Sequence, residues 1–353
     1  MATDRRRIDD LVRRCYVGLD AASLRDETLA RLRRVVPVDA AFFATVDPAT
    51  ILFTSVAVED PLAGAQALFL ENEFGGADVN KFTALAAAND HVRSLDQATD
   101  GRRDRSARYT DVMASLGLGD ELRAALVVGG RCWGVLCLHR ADSPTGFSAH
   151  EIDLVRRLAP HLAEGLRRAV VALAATMPGP TGRGPGVIVL DEDLSITSTN
   201  AEAEEWLAEL ADPRWIDLGG GRLPAAIQAV AAQVVHVDLG SPPTATTRLQ
   251  TRSGQWLGVH ASRLGSTSCG QTAVVVESAR PVELASLYLD AHGLTPAQSR
   301  VAALVLQGRS TRQIVNELKI SAHTVQEHLR AVFDKFGIGS RRELVAALLG
   351  PPQ

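Results

Sequence analysis

Four side chains late in the chain, Gln326, Glu327, Arg330 and Asp334, fall on one face of any helix drawn through them, and each carries hydrogen-bonding atoms. The opposite face holds Val325, Leu329, Val332 and Phe336, whose 3–4-residue spacing predicts a buried stripe. Such a helix presents donors and acceptors outward. That is the chemistry of recognition rather than of bond breaking, and a helix is the right width for a nucleic-acid major groove.

The surrounding stretch, Leu294 to Leu349, supplies what must hold that helix in place. Thr295 with Gln298, Ser310 with Gln313 and Ser340 with Glu343 are three capping boxes, and Pro296 sits at a first helical position. Ser321 caps the helix bearing the polar side chains, and Gly308 and Gly337 are C-cap residues. Four short helices follow from these signals. The second buries Ile314, Val315 and Leu318 and reaches the third through Lys319-Ile320, a turn short enough for a helix-turn-helix. The segment carries eight Lys/Arg against four acids, a net of +4, in a chain of −4, which leaves −8 for the rest. Positive charge is gathered where phosphates would be met.

These residues resemble the DNA-binding domain of LuxR-type transcriptional regulators. The resemblance rests on LTP at 294–296, QG-S at 307–310, I-x-x-x-L-x-I-S at 314–321, TV at 324–325, His328 and K-F-G-I-x-S-R-x-E-L-V at 335–345. It covers roughly one sixth of the chain and implies double-stranded DNA as a partner. It further implies that Gln326, Glu327 and Arg330 read base edges, Gln suiting adenine, Glu cytosine and Arg guanine. Phosphate contacts would come from Ser310, Thr311, Arg312, Ser321, Thr324, His328 and Lys335, a half-buried structural role being equally open to His328. Gln298 and Gln313 stand where the family usually has acids, which keeps the caps and removes ion-pair partners. Asp334 replaces a common basic residue, which implies weaker phosphate contact along that edge.

Elsewhere the chain offers no catalytic constellation. His91, His139, His150 and His161 lack ligand-like spacing, and Cys132 and Cys137, five apart on one expected strand, should face opposite ways. The glycine clusters at 75–76, 129–130 and 219–221 fit neither a P-loop nor a dinucleotide fingerprint, and Gly-x-Ser-x-Gly is absent. The expectation is a protein that is not an enzyme, with no metal and no cofactor. Four cysteines without a CxxC pair suit a reducing cytosol, the start MATDRRRIDD has no apolar signal-peptide core, and no apolar run approaches a membrane span. A cytoplasmic protein without membrane contact is expected.

A chain of 353 residues has room for two or three domains. Residues 3–36 read as two amphipathic helices, marked by Leu11, Val12, Val17 and Leu19 and then by Leu24, Leu29, Leu32 and Val35. Strands at 40–46 and 51–58 precede a looser stretch from Asp60 to about Arg105. A hairpin at 123–128 and 132–139 turns through Gly129-Gly130 and leads to a helix opened by Ser148 and Glu151. Ile152, Val155, Leu158, Leu162, Leu166, Ala169 and Leu173 form a seam on that helix, either packed on its own sheet or serving a dimer. The order resembles a GAF domain, which implies a small molecule held over the sheet beneath residues 60–120. Phe74, Phe82, Tyr109 and Trp133 are candidates for lining such a pocket, and packing in the core is the other role open to them.

The Pro/Gly run 177–186 is a linker. Beyond it GVIVLDEDLSITSTNAEAEEWL reads strand, turn, strand, helix, and strands follow at 246–251, 256–263 and 272–278, with a helical middle carrying Trp215, Ile227, Val230 and Val234. This resembles a PAS domain. The expected architecture is multidomain: an α+β GAF-like domain at 1–177, an α+β PAS-like domain at 186–280 and an all-α four-helix LuxR-type domain at 284–350. The expected function is a one-component transcriptional regulator, a homodimer with a small-molecule effector, acting on RNA polymerase; no receiver pattern points to phosphorelay control. A sigma-factor-like promoter reader, an enzyme with an accessory DNA-binding domain and an interaction scaffold are the rival readings.

Overall fold

The computed structural model describes residues 2–174, 182–210, 223–235, 244–265 and 270–349. Two compact units divide them, one drawn from Met1–Ala169 and Met177–Ser278, the other from Val170–Thr176 and Ala279–Gln353. Trp215 and Cys269 lie outside the described residues.

The first unit opens with helices α1 (Ala2–Arg14) and α2 (Ala21–Leu32). Val17 and Leu19 fall beyond the end of α1, and Val17 is exposed. Strands β1 (Ala40–Val46) and β2 (Phe53–Val58) form a hairpin, followed by α3 (Gln66–Phe74), α4 (Phe82–Ala87), β3 (Val92–Ser94) and α5 (Leu95–Thr99). The long hairpin β4 (Leu118–Val128) and β5 (Arg131–Ala141) leads into α6 (Ala149–Ala174). The sheet runs β2-β1-β5-β4-β3, antiparallel throughout. Nearly every residue of β1 is buried, because both faces of the sheet are covered. Ala40, Phe42, Ala44 and Val46 join an apolar cluster with Phe69, Leu70 and Phe82 of α3 and α4.

The apolar seam of α6 packs against its own domain as far as Ala169, and the Leu173 side chain lies outside the described residues. Ile152, Val155, Leu158, Leu162, Leu166 and Ala169 are each at most 4% exposed, and each such leucine contributes about 1.5–3 kcal/mol relative to exposure. The approach is close enough to require glycine: a Cβ on Gly134 of β5 would lie 2.5 Å from Leu166 Cδ1, and one on Gly165 of α6 would lie 2.7 Å from Leu24 Cδ2.

One expectation is corrected in β5. Leu126 pairs with Gly134 but Val127 pairs with Cys132, so Trp133 is an extra, bulged residue. The bulge reverses the alternation, and Cys132 and Cys137 both enter the same buried cluster. Burial pushes the Cys132 thiol up to about 12 and that of Cys137 higher still, which makes both poor nucleophiles.

A buried charge network fastens the irregular stretch between β2 and β4 onto the sheet. Arg123 and Glu121 of β4 and Arg108 are fully buried. Arg108 contacts Glu121 at 2.8 Å, and Arg123 contacts Glu73 of α3 at 2.9 Å and Glu121 at 3.2 Å. Glu73 Oε1 accepts the Phe82 amide at the start of α4, and Asp78 accepts the Arg108 amide. The Arg123 guanidinium also sits 4.1 Å over the Phe82 ring. Burial alone would raise the Glu121 carboxyl, yet the Arg108 and Arg123 charges outweigh it and hold Glu121 at about 2.

The second sheet contains β6 (Gly186–Leu190), β7 (Ile196–Thr199), helices α7 (Ala201–Leu210) and α8 (Ala225–Val235), then β8 (Thr244–Gln250), β9 (Trp256–Arg263) and β10 (Thr272–Ser278). Its order is β7-β6-β10-β9-β8. Counted within each domain, both sheets therefore run second, first, fifth, fourth, third. Helix α8 has no polar face, and seven of its eleven residues are buried. It packs on β8, β9 and β10 and, on its other side, on β2 and α3. Beside it Arg248 of β8 donates to both carboxylate oxygens of Asp47, at 2.7 and 2.6 Å.

The second unit holds α9 (Pro281–Ala291), α10 (Pro296–Leu306), α11 (Thr311–Leu318), α12 (Ala322–Phe336) and α13 (Arg341–Leu349). The boxes at Thr295/Gln298 and Ser310/Gln313 close as expected. At the start of α13, Glu343 reaches back to the Gly339 amide, one residue beyond the expected Ser340 amide. Among the described residues no helix is long and apolar enough to cross a membrane.

Two outcomes follow. Burial depresses His139 from 6.5 to about 4, so the unfolded chain takes up a proton below pH 6.5 that the folded domain refuses until about pH 4. Stability is therefore present above pH 6.5 and lost between 6.5 and 4, by about 3 kcal/mol at most. Thermal melts stepped through that range should show a flatter profile for His139→Leu than for the parent. Asp47→Ala should remove both carboxylate contacts to Arg248 and cost about 1.5–3 kcal/mol, read by calorimetry as a lower melting temperature, while a loss below about 1 kcal/mol would show that this ion pair does not hold the two sheets.

Candidate nucleic-acid interface and sensory cavity

In the second unit the sequence builds the interface from its caps inward. Val325, Leu329 and Val332 are at most 2% exposed and pack α12 into the core with Ile314 of α11 and Val301, Ala302 and Val305 of α10. Phe336 is half-buried and stacks on His292, ring centroids 3.7 Å apart. Lys319 takes a left-handed conformation, φ 53°, and turns α11 into α12. Ser321 accepts the Thr324 amide at 3.0 Å, and Thr324 Oγ1 lies 2.9 Å from Ser321 Oγ.

With the inner stripe fixed, Gln326, Glu327, Arg330 and Asp334 are all exposed. Gln326 Nε2 lies 3.5 Å from Thr311 Oγ1 of α11, the long limit of a hydrogen bond. Ser310, Arg312 and Ser321 are exposed, whereas Thr311, Thr324 and His328 are half-buried. Lys335 stands apart from the proposed phosphate contacts. Its ammonium donates to Gly293 O at 2.7 Å and to Gln298 Oε1 at 2.8 Å, which tethers it at the corner between α9 and α10. Sequence reading passed over His323. Its side chain is 83% exposed in the first turn of α12, with Nε2 3.3 Å from Glu327 Oε1. The signal was present as an i,i+4 spacing.

The first unit holds an apolar cavity of about 20 Å³ above the sheet, enough for one water-sized guest. Phe42, Phe53, Val56, Phe69 and Val112 line it, and Ala225 of α8 closes one side. Beside Ala225, Gln66 Nε2 donates to Gln228 Oε1 at 2.9 Å. Phe74, Phe82, Tyr109 and Trp133 do not line this cavity; Phe82 and Trp133 are buried in the core, and Phe74 and Tyr109 pack partly buried against it.

Cross-strand pairing, which residue spacing along the chain cannot show, brings Glu121, Cys137 and His139 within 4.8 Å of one another as potential ligand atoms. A guanidinium already supplies positive charge there: Arg123 Nε is 3.2 Å from Glu121 Oε1 and 3.4 Å from Cys137 Sγ. Neither ring nitrogen of His139 has a hydrogen-bond partner, and Nε2 lies 3.7 Å from Glu121.

Comparison with known proteins locates two families along the chain. Residues 292–348 match the bacterial regulatory proteins of the luxR family, and residues 20–166 match the GAF domain. Proteins described as HTH-type transcriptional regulators of Mycobacterium bovis and Mycobacterium tuberculosis are 44% identical over 61 residues, 17% of this chain. That match spans 7% of the length of each of those relatives. Among solved structures, Escherichia coli SdiA aligns at 12% identity with a TM-score of 0.33, covering 97% of this chain and 96% of its own. A Vibrio cholerae VqmA–ligand–DNA complex aligns at 18% identity and 0.23, covering 48% of this chain and 82% of its own. The chromophore-binding domain of an R. palustris bacteriophytochrome aligns at 14% and 0.32, covering 47% and 61%. The chain thus carries a GAF domain at residues 20–166 and a LuxR-family helix-turn-helix domain at residues 292–348.

Proposed function

We propose that this chain is a one-component transcriptional regulator that reads double-stranded DNA through α12. The carrying observation is the outward set Gln326, Glu327 and Arg330 on a helix whose inner residues Val325, Leu329 and Val332 are buried. The local charge of +4, against −8 for the rest of the chain, supports phosphate contact at this end. The regulator acts as a homodimer, which places two such helices on two half-sites about one helical turn of DNA apart. It works in the cytoplasm, with RNA polymerase as the downstream partner, and it is not an enzyme. Phosphate contacts come from Ser310, Thr311, Arg312, Ser321, Thr324 and His328.

The upstream domains are its sensors. The second sheet is PAS-like, a reading supported by its strand order and by the helices between its second and third strands. The effector is a small molecule held by the sensory half of the chain. Occupancy shifts the population of sensory arrangements and so the spacing of the two reading helices.

The test is binding of purified protein to the DNA upstream of its own coding region across a salt series, beside Arg330→Ala. Saturable binding should weaken steeply with salt, and the variant should lose about 1–3 kcal/mol at the specific site while relaxing preference at one base pair. Equal, weak binding of parent and variant to any duplex would count against the regulator.

A further inference from the structure

The reading face carries an acid, and an acid there has an electrostatic problem. A carboxylate entering a major groove meets the negative potential of two phosphate rows. Glu327 is 65% exposed by side chain, so in the free protein water solvates its charge. Seating α12 in a groove would remove much of that water and bring phosphates close. A bare carboxylate in that position weakens binding unless a cation accompanies it.

His323 is placed to be that cation. It lies one helical turn before Glu327 on the same outward face, with Nε2 3.3 Å from Oε1. An imidazole is the side chain whose charge responds to modest changes of field near neutral pH. The phosphate potential that penalises Glu327 favours the imidazolium. We propose that His323 takes up one proton from solvent when α12 seats on DNA and, as an imidazolium paired to Glu327, positions that carboxylate at a base edge. Resting on the DNA-reading role of α12, this makes His323 a positioning residue and makes recognition proton-linked.

His323 is the ion-pair partner of Glu327 in the structure, and the other charged groups on and around the helix have other settings, Lys319 standing exposed in the turn before it. On α12 itself Arg330 and Asp334 lie further along the helix, and Lys335 is bonded to Gly293 O and Gln298 Oε1. From α11, Glu317 faces Arg309 at 3.9 Å and Arg312 is exposed; α10 contributes Arg300, also exposed. The two further histidines of this unit differ in setting. His328 is half-buried, and His292 stacks on Phe336 with Nδ1 2.8 Å from Tyr288 O.

Binding to the specific site should be titrated from pH 8 to pH 6 at fixed salt, with the full-length parent, His323→Gln, Glu327→Gln and His328→Gln. The parent should gain affinity as pH falls, approaching about tenfold per pH unit at the limit of one proton bound. His323→Gln should match the parent within about twofold at pH 8 and lose the gain at pH 6. Glu327→Gln should also flatten the profile. Base selection at pH 6.5 should relax for His323→Gln at the one position read by Glu327 and stay sharp elsewhere, an effect that a merely structural role would not produce. A His323→Gln profile with the parent's slope, or a slope lost in His328→Gln instead, would overturn the inference. A flat parent profile with intact specific binding would sink proton linkage and leave the regulator standing, whereas no specific binding at any pH would remove both.

Discussion

A helix without a polar face must be covered on every side, and α8 imposes that condition on the sensory half of the molecule. Its sequence, AAIQAVAAQVV, has Gln228 and Gln233 as its polar side chains, and Gln228 meets Gln66 of the first domain. One flank needs its own sheet and the other needs β2 and α3. Neither sheet alone can bury it. The two domains are therefore joined by shared apolar burial, to which the Asp47–Arg248 ion pair adds direction rather than bulk attraction.

Fixed charge organises the first domain in a different way. The stretch between β2 and β4 contains short helices and single turns, with too little regular structure to position itself. Arg108 and Arg123, held by Glu121, Glu73 and Asp78, provide directional contacts where apolar packing would allow several arrangements. A buried network of this kind is costly to leave half-satisfied, and here it links β4, α3 and the start of α4. The cavity lies on the same side of the sheet, with Phe69 common to both: it lines the cavity and lies under Arg123.

What the sequence made legible was local. N-caps depend on residues three apart, so Thr295, Ser310 and Ser321 marked their helices correctly, and the 3–4-residue stripe placed α12 and its outward face. The seam on α6 was visible as a period, but a period does not say what covers it, and its own domain does. The bulge at Trp133 escaped because nothing in RCWGVLCL announces an unpaired residue; one insertion turned the faces of Cys132 and Cys137 from opposite to common. Glu121 and His139 are neighbours through strand register, which is a property of two segments together. The role of α8 as a shared wall was hidden for the same reason: its composition says buried, and only the fold says between what. His323 was legible in principle, four residues before Glu327.

Lys335 and Phe336, at the end of α12, both reach the chain entering the DNA-reading unit. The lysine holds the carbonyl of Gly293, and the phenylalanine stacks on His292. His292 and Gly293 are consecutive residues at the corner between α9 and α10, and they hold the far end of the helix whose beginning carries His323. The inner stripe already fixes α12 along its length, and these two contacts stitch its last turn to the polypeptide that leads into the unit.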